Sequence, residues 1–251
     1  KAGGDKVDSV AEIEVVVDAA RNNGLYKKHI YRIDSQSAGV VITTTYHNES
    51  KAIRKGTVDD YWKPSGKRGT FQGVRWIDAV DSDDRGAYAV GWLNDAKRLS
   101  GLAKHPGELT LKPGESKTFT RYLAVGNSPA SAYSEIVLHS TVKSEMLEVQ
   151  LSDSRTGKPI NSGTVNIRLK GQTIPAYPMK KGKLAVFLPL GSYELSITDR
   201  GRKSVMRFAE VAADKRNTIN EGLSPLSGVT FNITDTASKD TPCKVQFIGT
   251  G

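Results

Sequence analysis

Polar and apolar residues alternate with a period of two along most of the chain. Between Val7 and Ala20 the residues Val10, Ile13, Val15, Val17 and Ala19 alternate with polar positions through Glu12 and Glu14, which predicts a strand ended by an Asn22-Asn23-Gly24 turn. A short strand follows at His29 to Asp34. The next, Gly39 to Asn48 (GVVITTTYHN), is β-branched almost throughout and is the strongest strand signal in the first half. Leu109 to Val125 reads as two strands around Lys112-Pro113-Gly114-Glu115, where proline presets the first turn position and glycine supplies the second. Ser128-Pro129 then opens a short helix ending near His139, with serine as N-cap and proline at the first helical position. The stretch Leu109 to Val137 thus closes one β-rich unit.

From Leu147 the pattern changes to short strands with regular turns: LEVQLSD, a turn at Arg155 to Pro159, GTVNIRLK, and KLAVFLPLGSYELSITD, with Tyr193, Leu195 and Ile197 on one face. Val205 to Val211 and Asn217 to Gly222 supply further strands. Ser227 to Asp235 and Lys244 to Ile248 restart a similar pattern. The expected organisation is all-β: residues 1–141, a small sandwich at 142–226, and the start of a third module at 227–251.

Gly56 to Gly91 interrupts this regularity. Tyr61, Trp62, Trp76 and Tyr88, followed by Trp92, lie among Asp59, Asp60, Asp78, Asp81, Asp83 and Asp84, with glycines throughout, which predicts long loops and short strands over one sheet face. Three readings stay open. The aromatics cap an open sandwich and the aspartates occupy solvated turns; or Tyr61, Trp62, Trp76, Tyr88 and Trp92, with Asp59 and Asp60, form a carbohydrate platform of flat rings and hydroxyl acceptors; or Asp78 to Asp84 is a calcium loop, although its spacing matches no defined one.

Composition narrows the class. Of 251 residues 37% are hydrophobic and 25% charged, and no apolar run approaches the roughly 18 residues of a membrane span. The net charge of +9 comes mainly from the second half, at Lys180, Lys181 and Lys183 and at Arg200, Arg202 and Lys203. Both clusters sit at expected hairpin turns, where basic residues serve solubility and deter edge pairing; a nucleic-acid partner is not called for. The absence of an initiator Met and the abrupt end are read as those of a piece of a larger polypeptide.

Chemistry is sparse. His29, His47, His105 and His139 are widely separated and form no metal-binding pair. The single cysteine, Cys243, allows no intrachain disulfide and has no histidine nearby in sequence. Serine-nucleophile elbows and phosphate-binding glycine loops are absent. No catalytic residue, metal or cofactor is assigned.

The final GVTFNITDTASKDTPCKVQFIGTG, preceded by LEVQLSDSRTGKPINSGTVNIRL and LPLGSYELSI, resembles the region upstream of the catalytic domain in CehA/McbA-type metallohydrolases. There a polymerase-and-histidinol-phosphatase metal domain follows a train of β modules. Leu147 to Leu223 resembles a carboxypeptidase regulatory-like, transthyretin-type sandwich, through Thr156-Gly157-Lys158-Pro159 and Pro189 to Tyr193. The first half, with VVITTTYHN, Ala87 to Val90 and LKPGESKTFTRYLAVG, resembles the latter part of a galactose mutarotase-type supersandwich. Glu115 sits in a turn and His47 and His105 match no epimerase motif, so sugar epimerisation is the weaker implication. The resemblance implies a noncatalytic accessory segment of an exported, periplasmic or extracellular bacterial protein, whose partner is a downstream catalytic domain of the same polypeptide.

Overall fold

A computed structural model describes residues 10–18, 24–35, 37–58, 66–78, 86–93, 107–226, 233–237 and 239, together with the backbone of 102–103. The chain is all-β, of the β-sandwich class, with one short α-helix among the described residues.

The first half contributes β1 (Val10–Val17), β2 (Leu25–Asp34), β3 (Gly39–Asn48), β4 (Arg54–Val58), β5 (Lys67–Phe71), β6 (Val74–Asp78), β7 (Ala87–Leu93), β8 (Leu102–Ala103), β9 (Gly107–Leu111) and β10 (Ser116–Gly126). Seven of these pair in the order β1-β2-β3-β10-β7-β6-β5, all antiparallel, and β8 adds to β7. The β-branched stretch is β3, at the boundaries expected, and it lies near the centre of this sheet. The hairpin around Pro113-Gly114 splits between sheets: β10 joins the large one, whereas β9 pairs with β4 in a two-stranded ribbon. That ribbon closes over one end of a sheet face. Val58, Leu109 and Leu111 bury there against Leu25, Tyr46 and Trp92.

The helix α1 (Pro129–Leu138) begins as its sequence dictates. Ser128 Oγ accepts from the Ser131 N–H at 3.2 Å while Ser131 Oγ accepts from the Ser128 N–H at 2.9 Å, a reciprocal cap that satisfies two otherwise orphaned donors. Its sequence, PASAYSEIVL, has almost no charged face, and a helix of that kind must be covered on more than one side. Here Ala130, Ala132, Tyr133, Ser134, Ile136 and Val137 are all buried. One side packs on β10, β7 and β6; the other packs on the second module.

That module holds β11 (Ser144–Asp153), β12 (Thr164–Leu169), β13 (Gln172–Ala176), β14 (Lys183–Pro189), β15 (Gly191–Thr198), β16 (Val205–Val211) and β17 (Asn217–Leu223). They form a three-stranded sheet, β14-β11-β17, and a four-stranded sheet, β13-β12-β15-β16. β11 and β17 run parallel; the other pairs are antiparallel. Leu147, Val149 and Leu151 from one sheet meet Val165, Ile167, Tyr193, Leu195 and Ile197 from the other, the period-two face expected from the sequence. Lys180 to Lys183 does not form the hairpin turn expected. A 3-10 turn at Lys180–Gly182 instead carries the chain across from β13 to β14, between the two sheets.

One contiguous apolar core runs from Phe71 on β5 through α1 to Leu223 on β17. The helix is therefore its middle layer rather than the last element of the first module. Ser134 ties it to the second: Ser134 Oγ accepts from the Phe187 N–H at 2.7 Å and lies 3.3 Å from the Phe187 carbonyl, which it can donate to. The third expected module lies largely outside the described residues.

Candidate functional site

Pairing register decides where the aromatic residues go. Trp76 on β6 stands opposite Ala89 on β7, and Trp92 stands opposite Arg121 on β10. Positions 89 and 92 of one strand differ in parity, so the two indoles project from opposite faces of the sheet. Each is only 4% exposed: Trp76 in the core shared with α1, Trp92 under the β4–β9 ribbon. Tyr88 shares the Trp92 face and is 37% exposed. Thus Trp76, Tyr88 and Trp92 do not converge on one open surface, and the two tryptophans serve as core. Asp59, Asp60, Tyr61 and Trp62, the other residues of the expected platform, lie outside the described residues, as do Asp81, Asp83 and Asp84 of the calcium reading. Asp78 is buried and accepts a hydrogen bond from the Tyr177 hydroxyl, tying β6 to the second module. Among the described residues no group of three metal-ligating side chains assembles.

The polar cluster the structure does assemble was not legible as a motif. On the Trp92 face, Thr44 of β3 stands opposite His29 of β2 and two positions from Ile42, which stands opposite Arg121 of β10. Arg121 Nη1 donates to Thr44 Oγ1 at 2.6 Å, His29 Nδ1 lies 2.8 Å from the same oxygen, and the guanidinium sits 5.1 Å from the Trp92 ring centre. Arg121 is 3% exposed, so its charge acts over short distances with little screening. Burial, with Lys27 and Arg121 nearby, pushes the His29 imidazole down to about 4. At neutral pH His29 is therefore an uncharged group beside a fixed cation. That arrangement can hold a hydroxyl in place, but the guanidinium opposes binding of a second cation there. Farther along the same face, Arg68, Thr70, Arg75 and Ile77 line an open cavity of about 280 Å³ on the β5–β6 hairpin.

In the β15–β16 turn, Arg202 departs from the solvated role expected of it. Its side chain is 8% exposed and lies between Asp153 and Asp199, with Nη1 2.6 Å from Asp153 Oδ2 and Nε 2.9 Å from Asp199 Oδ2. Nη1 also donates to the Ser224 carbonyl at 2.5 Å. The Arg202 guanidinium, then the backbone N–H of Thr156, holds the Asp153 carboxyl well below the usual carboxylate range. This network joins the end of β11, the β15–β16 turn and the backbone just after β17.

No family model matches the chain, and no curated protein matches it. Among solved structures, the TIE protein of Bacillus anthracis aligns at 10% identity and a TM-score of 0.30 over 89% of this chain and 42% of its own. A polysaccharide lyase aligns at 12% identity and a TM-score of 0.29, over 82% and 37%. The chain spans less than half of either, and likeness at this level carries no functional argument. Among the described residues no helix is long and apolar enough to cross a membrane.

Proposed function

We propose that this chain is a noncatalytic β-scaffold, an accessory segment of an exported bacterial protein that sets the position of a metal-dependent hydrolase domain following it in the same polypeptide. The observation that carries this reading is the continuous core through α1. A spacer that positions another domain must resist bending between its own modules. Small interdomain contacts leave such motion as the default, whereas a shared apolar layer removes it. The Asp153–Arg202–Asp199 network adds a second support, because Arg202 also binds the Ser224 carbonyl where the chain leaves the sandwich. Fixing the exit backbone fixes the direction in which the following residues start.

The test compares the 251-residue chain with a polypeptide extended beyond Gly251, assayed on phosphoesters and amides with Zn²⁺ or Mn²⁺ added. Turnover by the extended protein alone supports the reading. Equal turnover by the shorter chain overturns it.

A further inference from the structure

We propose that the outer edge of β1 is a docking strand for an extended segment of a partner polypeptide carrying lysine or arginine at alternate positions. The proposal is independent of the scaffold reading and rests on how the sheet edges differ.

An open edge exposes a row of backbone donors and acceptors that invites further pairing, and folded proteins blunt it with proline, charged residues (lysine above all), bulges or cover. Three of the edges carry such devices. β5 bears Lys67 and Arg68, and the turn after it is held by the second module, with the Gln72 N–H donating to Gln172 Oε1 at 2.7 Å. β13 contains Pro175, which offers no N–H. β14 has the N–H and carbonyl of Phe187 engaged by Ser134 of α1. β1 has no proline, basic residue or bulge and, among the described residues, no cover; its only charged residues are Glu12 and Glu14. Its eight residues, VAEIEVVV, pair with β2 in unbroken register from Val10↔Asp34 to Val17↔Lys27, and among the described residues no strand lies on its other side. Val10, Ile13, Val15 and Val16 are exposed, Ile13 by 64%. A β-branched strand of this length, bare on its outer edge, is built for a neighbour.

Charge selects that neighbour. Val10, Glu12, Glu14 and Val16 share one face of the strand, and Ala11, Ile13, Val15 and Val17 the other. On its inner side β1 already meets basic residues: Glu12 stands opposite Arg32, and Lys28 Nζ lies 2.7 Å from Glu14. A strand on the outer side meets the same two carboxylates, so lysine or arginine opposite them is favourable. A second copy of β1 paired antiparallel about Ile13 is disfavoured, because that register sets Glu12 against Glu14 of the other copy.

The test titrates the chain with two labelled octapeptides, one alternating lysine with valine and one alternating glutamate with valine, reading anisotropy and amide exchange. The expected result is roughly tenfold tighter binding of the basic peptide, with slowed exchange confined to Val10–Val17 and β2. Non-specific attraction predicts the opposite order, since the chain carries a net charge of +9. Glu12→Lys, which leaves the Lys28–Glu14 pair intact, is expected to abolish the preference, and Glu12→Lys with Glu14→Lys to invert it. Equal affinities, a preference for the acidic peptide, protection elsewhere, or a concentration-dependent dimer that protects β1 would each overturn the proposal.

Discussion

Tyr133 of the helix meets Phe71 of β5 edge to face, ring centroids 5.1 Å apart at 87°. The next residue, Ser134, engages the backbone of Phe187 in the second module. Adjacent residues of one helix thus grip different modules. Tyr133 is fully buried, and Tyr133→Ala is expected to cost about 3–5 kcal/mol, as large-to-small changes of aromatic core residues do. Its hydroxyl has no hydrogen-bond partner among the described residues. Tyr133→Phe is therefore expected to lie within about 1 kcal/mol of the wild type or above it, because the substitution removes a desolvated polar group. Urea denaturation of both variants separates ring from hydroxyl.

The Arg202 network makes a prediction in acid. Asp153 in the folded chain titrates below its ordinary value of 3.8, so its contribution is fully present above that pH and is lost as the pH falls below it. Asp153→Asn is expected to be less stable than the wild type at neutral pH and to lose less on acidification. Arg202→Met leaves Asp153 and Asp199 facing each other without the cation between them. It is expected to be the more destabilised of the two at pH 7 and to recover part of that loss in acid, where one carboxylate protonates. Thermal melts between pH 7 and pH 3 test both.

His29 gives the same sign in a higher window. Its folded value of about 4 lies below the ordinary 6.5, so the unfolded chain takes up the proton first. Stability is expected to fall as the pH drops from 6.5 towards 4, and no further on this account below that. His29→Gln should flatten the curve in that window, which chemical denaturation at successive pH values would show.

Gly69 lies flat against Trp76: a Cβ there would come within 2.2 Å of the indole. Gly69→Ala must displace the ring or the hairpin and is expected to cost about 1–3 kcal/mol, as overpacking does. In a Trp62→Phe background the remaining tryptophans, Trp76 and Trp92, are both buried, so emission should be blue-shifted and weakly quenched by acrylamide. Adding Gly69→Ala should shift it to the red.

Local signals in the sequence were strong enough to place many elements. The β-branched run became β3, Ser128-Pro129 opened α1, and alternation at Tyr193, Leu195 and Ile197 marked a buried face. Each depends on side chains within a few residues of one another. What stayed hidden depends on register between distant segments. Trp76 and Trp92 belong to one platform in one of the readings the sequence leaves open, yet strand parity sends them to opposite faces. The His29–Thr44–Arg121 cluster joins three strands that no spacing rule connects. Arg202 sits in a basic turn that reads as solvent-facing, and only the fold brings Asp153 to it. The apolar all-round character of α1 was the available sign that the helix has a layer on each side.

Differential scanning calorimetry of the 251-residue chain and its Tyr133→Ala variant tests the shared core most directly. One transition is expected, with agreeing calorimetric and van't Hoff enthalpies, moved as a whole to lower temperature by the substitution. Two separable transitions, with Tyr133→Ala shifting only one of them, would contradict it.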